Sequence, residues 1–135
     1  YLYKGSDSLE HGLIVALTES KEVWQTTGTS VNATRTEDGA YNTNLMTGSP
    51  AATYIAGLGT GWYLPSMDEL RLLHNNRYST QKALRNGSNT LLSNINYWSS
   101  TEFQQTAAYY MSFESASMGY SNKAVSHTVR GVRAF

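Results

Sequence analysis

The chain has 135 residues, in which ten Lys or Arg side chains balance ten Asp or Glu side chains, and it contains no cysteine. This length fits a single domain, residues 1–135, with its own hydrophobic core. Without clustered Lys or Arg, nucleic-acid binding is not expected, and without cysteine there is no disulfide, thiolate catalysis or cysteine-bound zinc. The longest apolar run, residues 13–17, is too short to cross a bilayer.

The first part of the chain predicts one strand, one long loop and one short helix. Residues 13–17 are short and rich in β-branched side chains, as in a buried strand. The polar stretch 25–39 predicts a long loop. Ser49 followed by Pro50 is typical of a helix start, and this helix is expected to end near Gly57.

The middle of the chain predicts two further helical segments. Ser66 and Glu69 have the spacing of a capping box, in which each side chain binds a free amide of the other's backbone. Apolar residues then repeat at helical spacing. Residues 80–86, followed by Gly87, predict a third, shorter helical segment that a glycine terminates.

After residue 96 the pattern changes to the two-residue period of β-strands. Residues 97–101 predict one strand and residues 108–113 the next. Alternation in the second strand places Tyr110 and Ser112 on the face opposite Tyr109. Strands at both ends with helices between them predict an α+β domain.

Two more strands are expected in the last twenty residues or so. Residues 115–120 are predicted to return as a hairpin, and residues 129–135 to form a final strand. Val129 and Val132 are three residues apart, so both point inward only if a bulge lies at Gly131.

No motif for catalysis or metal binding stands out. Three histidines are present, none at the spacing of a metal site: His11, His74 and His127. The acidic pair in residues 37–39 has the chemistry to bind calcium, although a turn is the commoner use of such a sequence. The glycines of residues 57–61 do not follow a strand, unlike those of a dinucleotide-binding loop. We expect no catalytic residue, no metal and no cofactor.

Several segments resemble a large bacterial surface-protein family, called the major paralogous domain or the collagen-like-protein C-terminal domain. Residues 61–70, GWYLPSMDEL, resemble its segment W-(Y or R)-L-P-(S or T)-x-x-E-(L or W). Residues 97–102, YWSSTE, and residues 129–133, VRGVR, resemble its C-terminal half. Residues 11–13 resemble its N-terminal strand. The ordered set covers nearly the whole chain.

That family is similar to the formylglycine-generating-enzyme branch of C-type-lectin-like folds. The resemblance implies an α+β domain with a small twisted antiparallel sheet and two main helices, located on a cell surface, outside the cell or on a phage particle. The enzymes of that branch rely on cysteine, so their chemistry is not carried over. Lectins of the parent fold bind calcium through a Trp-Asn-Asp strand, whereas Trp98 is followed here by Ser99 and Ser100.

The resemblance also implies replaceable positions. In relatives that retroelements diversify, adenine mutagenesis alters asparagine codons between fixed positions. The residues expected to contact a ligand are Phe103, Thr106, Ala107, Tyr110, Ser112, Gly119, Tyr120, Ser121, Asn122, Ala124, Ser126 and His127, with Tyr110 and Tyr120 as anchors. The fixed frame is expected to comprise Trp62, Leu64, Leu70, Leu73, Trp98, Glu102, Tyr109, Met111, Phe113, Met118, Lys123, Val129 and Val132.

The ten Tyr and eleven Gly residues, with many Ser, Thr and Asn, are typical of adaptable binding surfaces. We expect a non-enzymatic recognition domain for a protein or glycan on a cell or host surface, as in a phage receptor-binding protein or a retroelement-diversified variable protein. An adhesin or pilus-tip domain with a fixed glycan or matrix ligand is the main alternative. An enzyme, for example a hydrolase, is a weaker third. The sequence does not indicate an oligomeric state.

Overall fold

The computed structural model describes residues 1–135 as nine strands and four helices. In chain order these are β1 (Leu2–Lys4), β2 (Glu10–Val15), β3 (Ser20–Val23), α1 (Gly39–Leu45), α2 (Pro50–Ala56), β4 (Trp62–Tyr63), α3 (Met67–Asn75), α4 (Arg77–Asn86), β5 (Asn96–Gln104), β6 (Ala107–Ser112), β7 (Ser117–Asn122), β8 (Ser126–Val129) and β9 (Val132–Ala134). The predicted α+β class is confirmed, and α3 and α4 are the two longest helices.

The strands form two sheets. The larger has the order β3-β8-β5-β6-β7, and the smaller has the order β1-β2-β9-β4. All pairings are antiparallel except β5 with β8, which is parallel. The smaller sheet joins the two ends of the chain, because the Gly12 and Phe135 amides each donate to the other's carbonyl at 3.1 Å.

The larger sheet is covered on both faces, so neighbouring residues of β5 enter different cores. Trp98 belongs to one core, which also includes Trp24, Ile55 and Val129 and lies against α2. Tyr97 belongs to the other, whose buried residues are Leu70, Leu73, Leu84, Leu92, Tyr97, Met111 and Phe113. The predicted frame is buried accordingly, apart from Trp62, Tyr109 and Met118, which are half-buried.

The capped helices form where the sequence predicts them. Ser49 caps α2, with Pro50 in its first turn and Gly57 at its end. The capping box of Ser66 and Glu69 at the start of α3 is complete. The third predicted helix is α4. It begins at Arg77, three residues before the predicted segment, and Gly87 caps its end as expected.

The predicted final strand over residues 129–135 is wrong. This part of the chain contains the end of β8 and the whole of β9, two short strands that belong to different sheets. The chain crosses between the sheets at Arg130, whose buried guanidinium donates from Nε to the Ala16 carbonyl at 2.8 Å and pairs with Glu19 at 2.9 Å. Val129 and Val132 are both buried because of this crossing, without the bulge predicted at Gly131.

Four elements were not predicted, namely β1, β3, β4 and α1. The helix α1 begins at the acidic pair for which the sequence predicts a turn or, less commonly, a calcium loop, and Asp38 is its N-cap, accepting from the Tyr41 amide at 3.0 Å. The rest of the predicted loop, residues 25–38, has no helix or strand. The apolar strand predicted at residues 13–17 is β2, which begins and ends earlier.

Glu69 joins three elements at the centre of the fold. Beyond its capping bond with the Ser66 amide at 3.1 Å, its carboxylate accepts from the Gly39 amide at 2.8 Å and from the Tyr63 hydroxyl at 2.6 Å. It therefore connects α3 to the start of α1 and to β4. Burial, together with the Glu69 carboxylate, raises the pKa of Tyr63, which keeps its hydroxyl protonated as a donor.

We predict that Glu69→Ala lowers the free energy of unfolding by about 2–4 kcal/mol, because buried donors lose a charged acceptor. Asp68→Ala removes an exposed carboxylate from the same helical turn and is expected to cost less than about 1 kcal/mol. Urea unfolding of both variants measures the difference. Equal losses would contradict the role assigned to Glu69.

Candidate functional site

The predicted ligand contacts lie on β5 to β8, but they do not form one surface. In the pairing of β6 with β7, Tyr109 lies opposite Tyr120, and Tyr110 lies opposite Gly119. Because side chains alternate between faces, Tyr110 and Tyr120 project from opposite faces of the larger sheet. The two tyrosines predicted as anchors therefore do not share one surface.

On one face, three aromatic rings form an open cluster, which we call the aromatic patch: Phe103, Tyr109 and Tyr120. The rings of Phe103 and Tyr120 stack at a centroid distance of 4.3 Å, and Tyr109 meets Phe103 edge-on at 5.2 Å. Phe103 and Tyr120 are 40% and 60% exposed. Tyr109, expected in the frame, is half-buried and belongs to this patch instead.

Two turns lie beside the aromatic patch and supply small, exposed side chains. Thr106 is in the turn between β5 and β6, and its carbonyl accepts from the Lys123 amide at 2.8 Å. Asn122 is the last residue of β7, and its Oδ1 accepts from the Ala124 amide in the following turn at 2.9 Å. Thr106, Asn122 and Ala124 are exposed, as a contact role requires. Ala107 is only 5% exposed and offers almost no surface for the predicted contact with a ligand.

On the other face, Tyr110 covers Gly119. A Cβ added at Gly119 would lie 2.7 Å from the Tyr110 hydroxyl oxygen. Tyr110 itself is half-buried, packs against the Trp98 core and lies 5.1 Å from the His127 ring. Gly119 therefore does not offer the open contact predicted for it, and Tyr110 is held by its neighbours. Ser121 is on the same face and is half-buried.

The remaining predicted contacts, Ser112, Ser126 and His127, meet at the opposite end of the sheet from the aromatic patch, in a polar groove. The His127 ring contacts Trp98 at 4.6 Å between centroids. Burial lowers the pKa of His127, which favours the neutral imidazole.

A buried ion pair lies behind the aromatic patch. Lys123 Nζ is 2.7 Å from Glu102 Oε2, and both side chains are almost completely buried. The Lys123 ammonium also lies over the Trp24 ring, 4.6 Å from its centroid, and donates to the Thr29 carbonyl at 2.9 Å. Glu102 precedes Phe103 and Lys123 follows Asn122, so the pair fixes both strands that carry the patch. Their prediction as frame residues is consistent with this burial.

Glu102 also orders the long loop after β3. Its carboxylate accepts from the amides of Val31 at 2.9 Å and Asn32 at 3.2 Å, and from the Ser30 hydroxyl at 3.0 Å. Burial alone would raise the pKa of Glu102, but the bonds from Lys123, Val31 and Ser30 outweigh it and lower the pKa below 4.5. The carboxylate is therefore ionised whenever the domain is folded at neutral pH.

Basic residues do cluster in the structure, contrary to the expectation from sequence. Arg77, Lys82 and Arg85 line one open groove of about 630 Å³ along α4, beside the exposed Tyr78. They are five and three residues apart, which hides the cluster in the sequence, and the turn of the helix brings them together along one groove.

Nowhere do three or more His, Asp or Glu side chains come close enough together to hold a metal ion. None of the four helices has the length and apolar character needed to span a membrane.

Comparison with known proteins identifies the family. The sequence profile of the Lcl C-terminal domain family matches residues 14–133, which is nearly the whole chain. The chain therefore belongs to the Lcl C-terminal domain family, and the resemblance and the C-type-lectin-like fold expected from the sequence are confirmed. No curated protein matches the chain significantly.

We predict that Glu102→Gln lowers the free energy of unfolding at neutral pH by about 3–5 kcal/mol, because it leaves the Lys123 charge buried without a partner. The matched exchange of an exposed glutamate, Glu114→Gln, is expected to change it by less than about 0.5 kcal/mol. Urea unfolding compares the two variants.

The pH dependence of unfolding gives a second readout for the same variants. Because the pKa of Glu102 is depressed by folding, its contribution is present above the ordinary value of 4.5 and is lost as the pH falls through the lower, folded value. Glu102→Gln should remove this part of the acid sensitivity. An unchanged acid profile in that variant would refute the assignment.

Proposed function

We propose that this member of the Lcl C-terminal domain family is a non-enzymatic recognition domain, which binds a protein on a cell or host surface through the aromatic patch. The observation that carries the proposal is the exposure of two stacked aromatic rings, Phe103 and Tyr120, which are 40% and 60% exposed on the larger sheet. Large exposed aromatic side chains are frequent energetic centres of protein interfaces.

The patch is suited to a protein partner because it is rigid before binding. The stacking of Phe103 on Tyr120 restricts both side chains, and the ion pair of Glu102 with Lys123 fixes the backbone next to them. Binding then costs little side-chain entropy. Thr106 and Asn122, with the small Ala124, supply an exposed rim that is mostly polar, and polar rims surround the apolar centres of interfaces.

We further propose that Tyr120 of the patch, the rim and accessible positions elsewhere on the larger sheet are diversified between copies of the protein. The support for this proposal is that the positions expected to vary and the frame positions differ in burial. Most of the positions expected to vary are exposed or half-buried, whereas Trp98, Glu102, Met111 and Lys123 are buried. Variation at the rim therefore changes the ligand surface without removing core contacts. Ala107, which is buried, and Gly119, beneath Tyr110, are expected to vary least among the proposed positions.

Sequencing the genomic locus tests diversification. We expect a nearby, near-identical repeat beside a reverse-transcriptase gene, and differences between copies confined to the accessible positions: Thr106, Ser112, Tyr120, Ser121, Asn122, Ala124 and His127. Differences that reach Trp98 or Lys123, or the lack of any such repeat, would contradict diversification and would favour an adhesin of fixed specificity.

A cell-binding experiment tests the patch itself. Fluorescently labelled, multimerised domain is applied to bacterial and animal cells, and binding is measured by flow cytometry. We expect Phe103→Ala and Tyr120→Ala each to weaken binding by about thirtyfold or more, as loss of a hot-spot residue does. Tyr78→Ala, which removes a tyrosine that is 74% exposed on α4, is the matched control and should leave binding unchanged.

Treatment of the cells identifies the ligand class. A protein ligand predicts that protease digestion of the cell surface abolishes binding and that periodate oxidation of glycans does not. Binding that survives protease digestion and is lost after periodate would overturn the proposed ligand class. Binding that both patch variants retain would overturn the patch as the site.

A further inference from the structure

The strand β7 forms one edge of the larger sheet, because β6 is its only neighbour there. Its residues, Ser117–Asn122, pair with β6 in one uninterrupted register, from Ser117 opposite Ser112 to Asn122 opposite Ala107. An edge strand of this kind has backbone amides and carbonyls without a partner in the sheet. These groups lie beside the aromatic patch, since Tyr120 belongs to both.

Hydrogen bonds around β6 fix the phase of its pairing with β7. The Lys123 amide donates to the Thr106 carbonyl at 2.8 Å, so these two opposite residues form a hydrogen-bonded pair. Hydrogen-bonded and non-hydrogen-bonded pairs alternate along an antiparallel pair of strands. Tyr109 agrees with this phase, because its carbonyl points to β5, where it accepts from the Ser99 hydroxyl at 2.8 Å.

The phase determines which backbone groups of β7 point outward. Ser117, Gly119 and Ser121 fall at the hydrogen-bonded positions and face β6. Met118 and Tyr120 fall between them, so their amides and carbonyls point away from the sheet. No backbone group from a turn or loop bonds to these two residues. The edge therefore offers two donors and two acceptors to an incoming chain.

The other three edge strands have features that discourage pairing with a further chain. Lys21 and Glu22 place adjacent charges on β3, whereas β1 has three residues and ends in Lys4, and β4 has only two residues. Charged side chains and short length are common protection for exposed sheet edges. By contrast, β7 has six residues with no charge, no proline and no bulge.

We infer that an extended segment of the protein ligand pairs with β7 as an additional edge strand, with its side chains beside the aromatic patch. This inference rests on the proposed function, since it takes the same patch as the contact. In strand addition the backbone bonds supply affinity, and the side chains supply specificity. Changes at Tyr120, Ser121 and Asn122 would then alter which segment binds, while the backbone contact stays the same.

A partner protein suits this edge better than a second copy of the chain does. In a pair of copies joined through β7, a change at Tyr120 would alter both sides of the interface at once. Such an interface would not tolerate the proposed variation at this position. A separate partner meets only one altered surface.

A peptide library tests the inference without the cellular ligand. Random peptides displayed on phage are selected on the immobilised domain, and the enriched peptides are synthesised. Their affinities are measured by calorimetry for two variants of one residue. Met118→Pro removes an outward amide, and proline is tolerated at edge positions whose amide faces solvent. Met118→Ala loses the same side chain but keeps the amide, so it is the matched control.

We expect Met118→Pro to bind the selected peptides about tenfold or more weakly than Met118→Ala does, because one backbone hydrogen bond is lost and the proline ring obstructs the edge. Circular dichroism and urea unfolding report whether both variants are folded. Hydrogen exchange of the unchanged domain gives a second readout. A bound peptide should slow amide exchange at Met118 and Tyr120, and should leave exchange at Tyr78 on α4 unchanged. This measurement decides the matter even if Met118→Pro does not fold.

Three results would overturn the inference. The first is that no peptide is enriched on the domain, or that the enriched peptides bind the two variants equally. The second is that bound peptides leave exchange at Met118 and Tyr120 unchanged. The third is that the domain sediments as a dimer that Met118→Pro dissociates, which would make a second copy the occupant of the edge.

Cell binding separates this inference from the proposed function. If Tyr120→Ala weakens binding to cells while the two Met118 variants bind equally, strand pairing is refuted and the patch remains the site. If Phe103→Ala and Tyr120→Ala both bind normally while Met118→Pro alone is impaired, the patch is refuted and strand pairing remains.

Discussion

The ion pair between Glu102 and Lys123 is the interaction on which the recognition surface depends. It joins the end of β5 to the turn after β7, and it anchors the loop of residues 29–32 through bonds to backbone groups. Charged groups are buried at a high desolvation cost, and only good geometry and additional hydrogen bonds offset it. Here a carboxylate with four donors and an ammonium over the Trp24 ring meet that requirement.

This arrangement places fixed and accessible residues next to each other along the chain. Glu102 is buried and Phe103 is exposed; Lys123 is buried between the exposed Asn122 and Ala124. Such alternation lets the accessible side chains change while the buried ones hold the backbone. A second buried cation, Arg130, likewise holds the backbone at the crossing between the two sheets, where it donates to the carbonyls of Ala16 and Thr90.

Local signals in the sequence predicted local structure well. Ser49 with Pro50, the box of Ser66 with Glu69, and Gly87 mark helix ends through bonds within a few residues, so one short segment contains the necessary information. The helix α1 was missed because its residues GAYNTNL lack a clear apolar repeat. The final strand was mispredicted because the change of sheet at Arg130 depends on contacts with residues more than one hundred positions away.

The sequence predicts which part of the chain carries the candidate site, but it does not predict which of those side chains share a surface. The register of β6 with β7 decides which tyrosines share a face, and a shift by one residue would move Tyr120 to the other side of the sheet. That register is fixed by the turn at residues 113–116, whose geometry the alternation within each strand does not reveal. The packing of Tyr110 over Gly119 likewise depends on how separate strands pair. So does the groove that residues of β3, β5, β6 and β8 form together.

Folding and protein recognition are expected to depend on separate residues that alternate along the chain. The most direct measurement is a mutational scan of residues 97–130 on a display system, sorted once for folded domain and once for cell binding. We expect substitutions at Trp98, Glu102, Lys123 and Arg130 to reduce folded display, and those at Phe103, Tyr109 and Tyr120 to reduce binding alone. The account would be contradicted if substitutions at these three aromatic positions left binding intact, or if they reduced folded display as much as substitutions of the ion pair do.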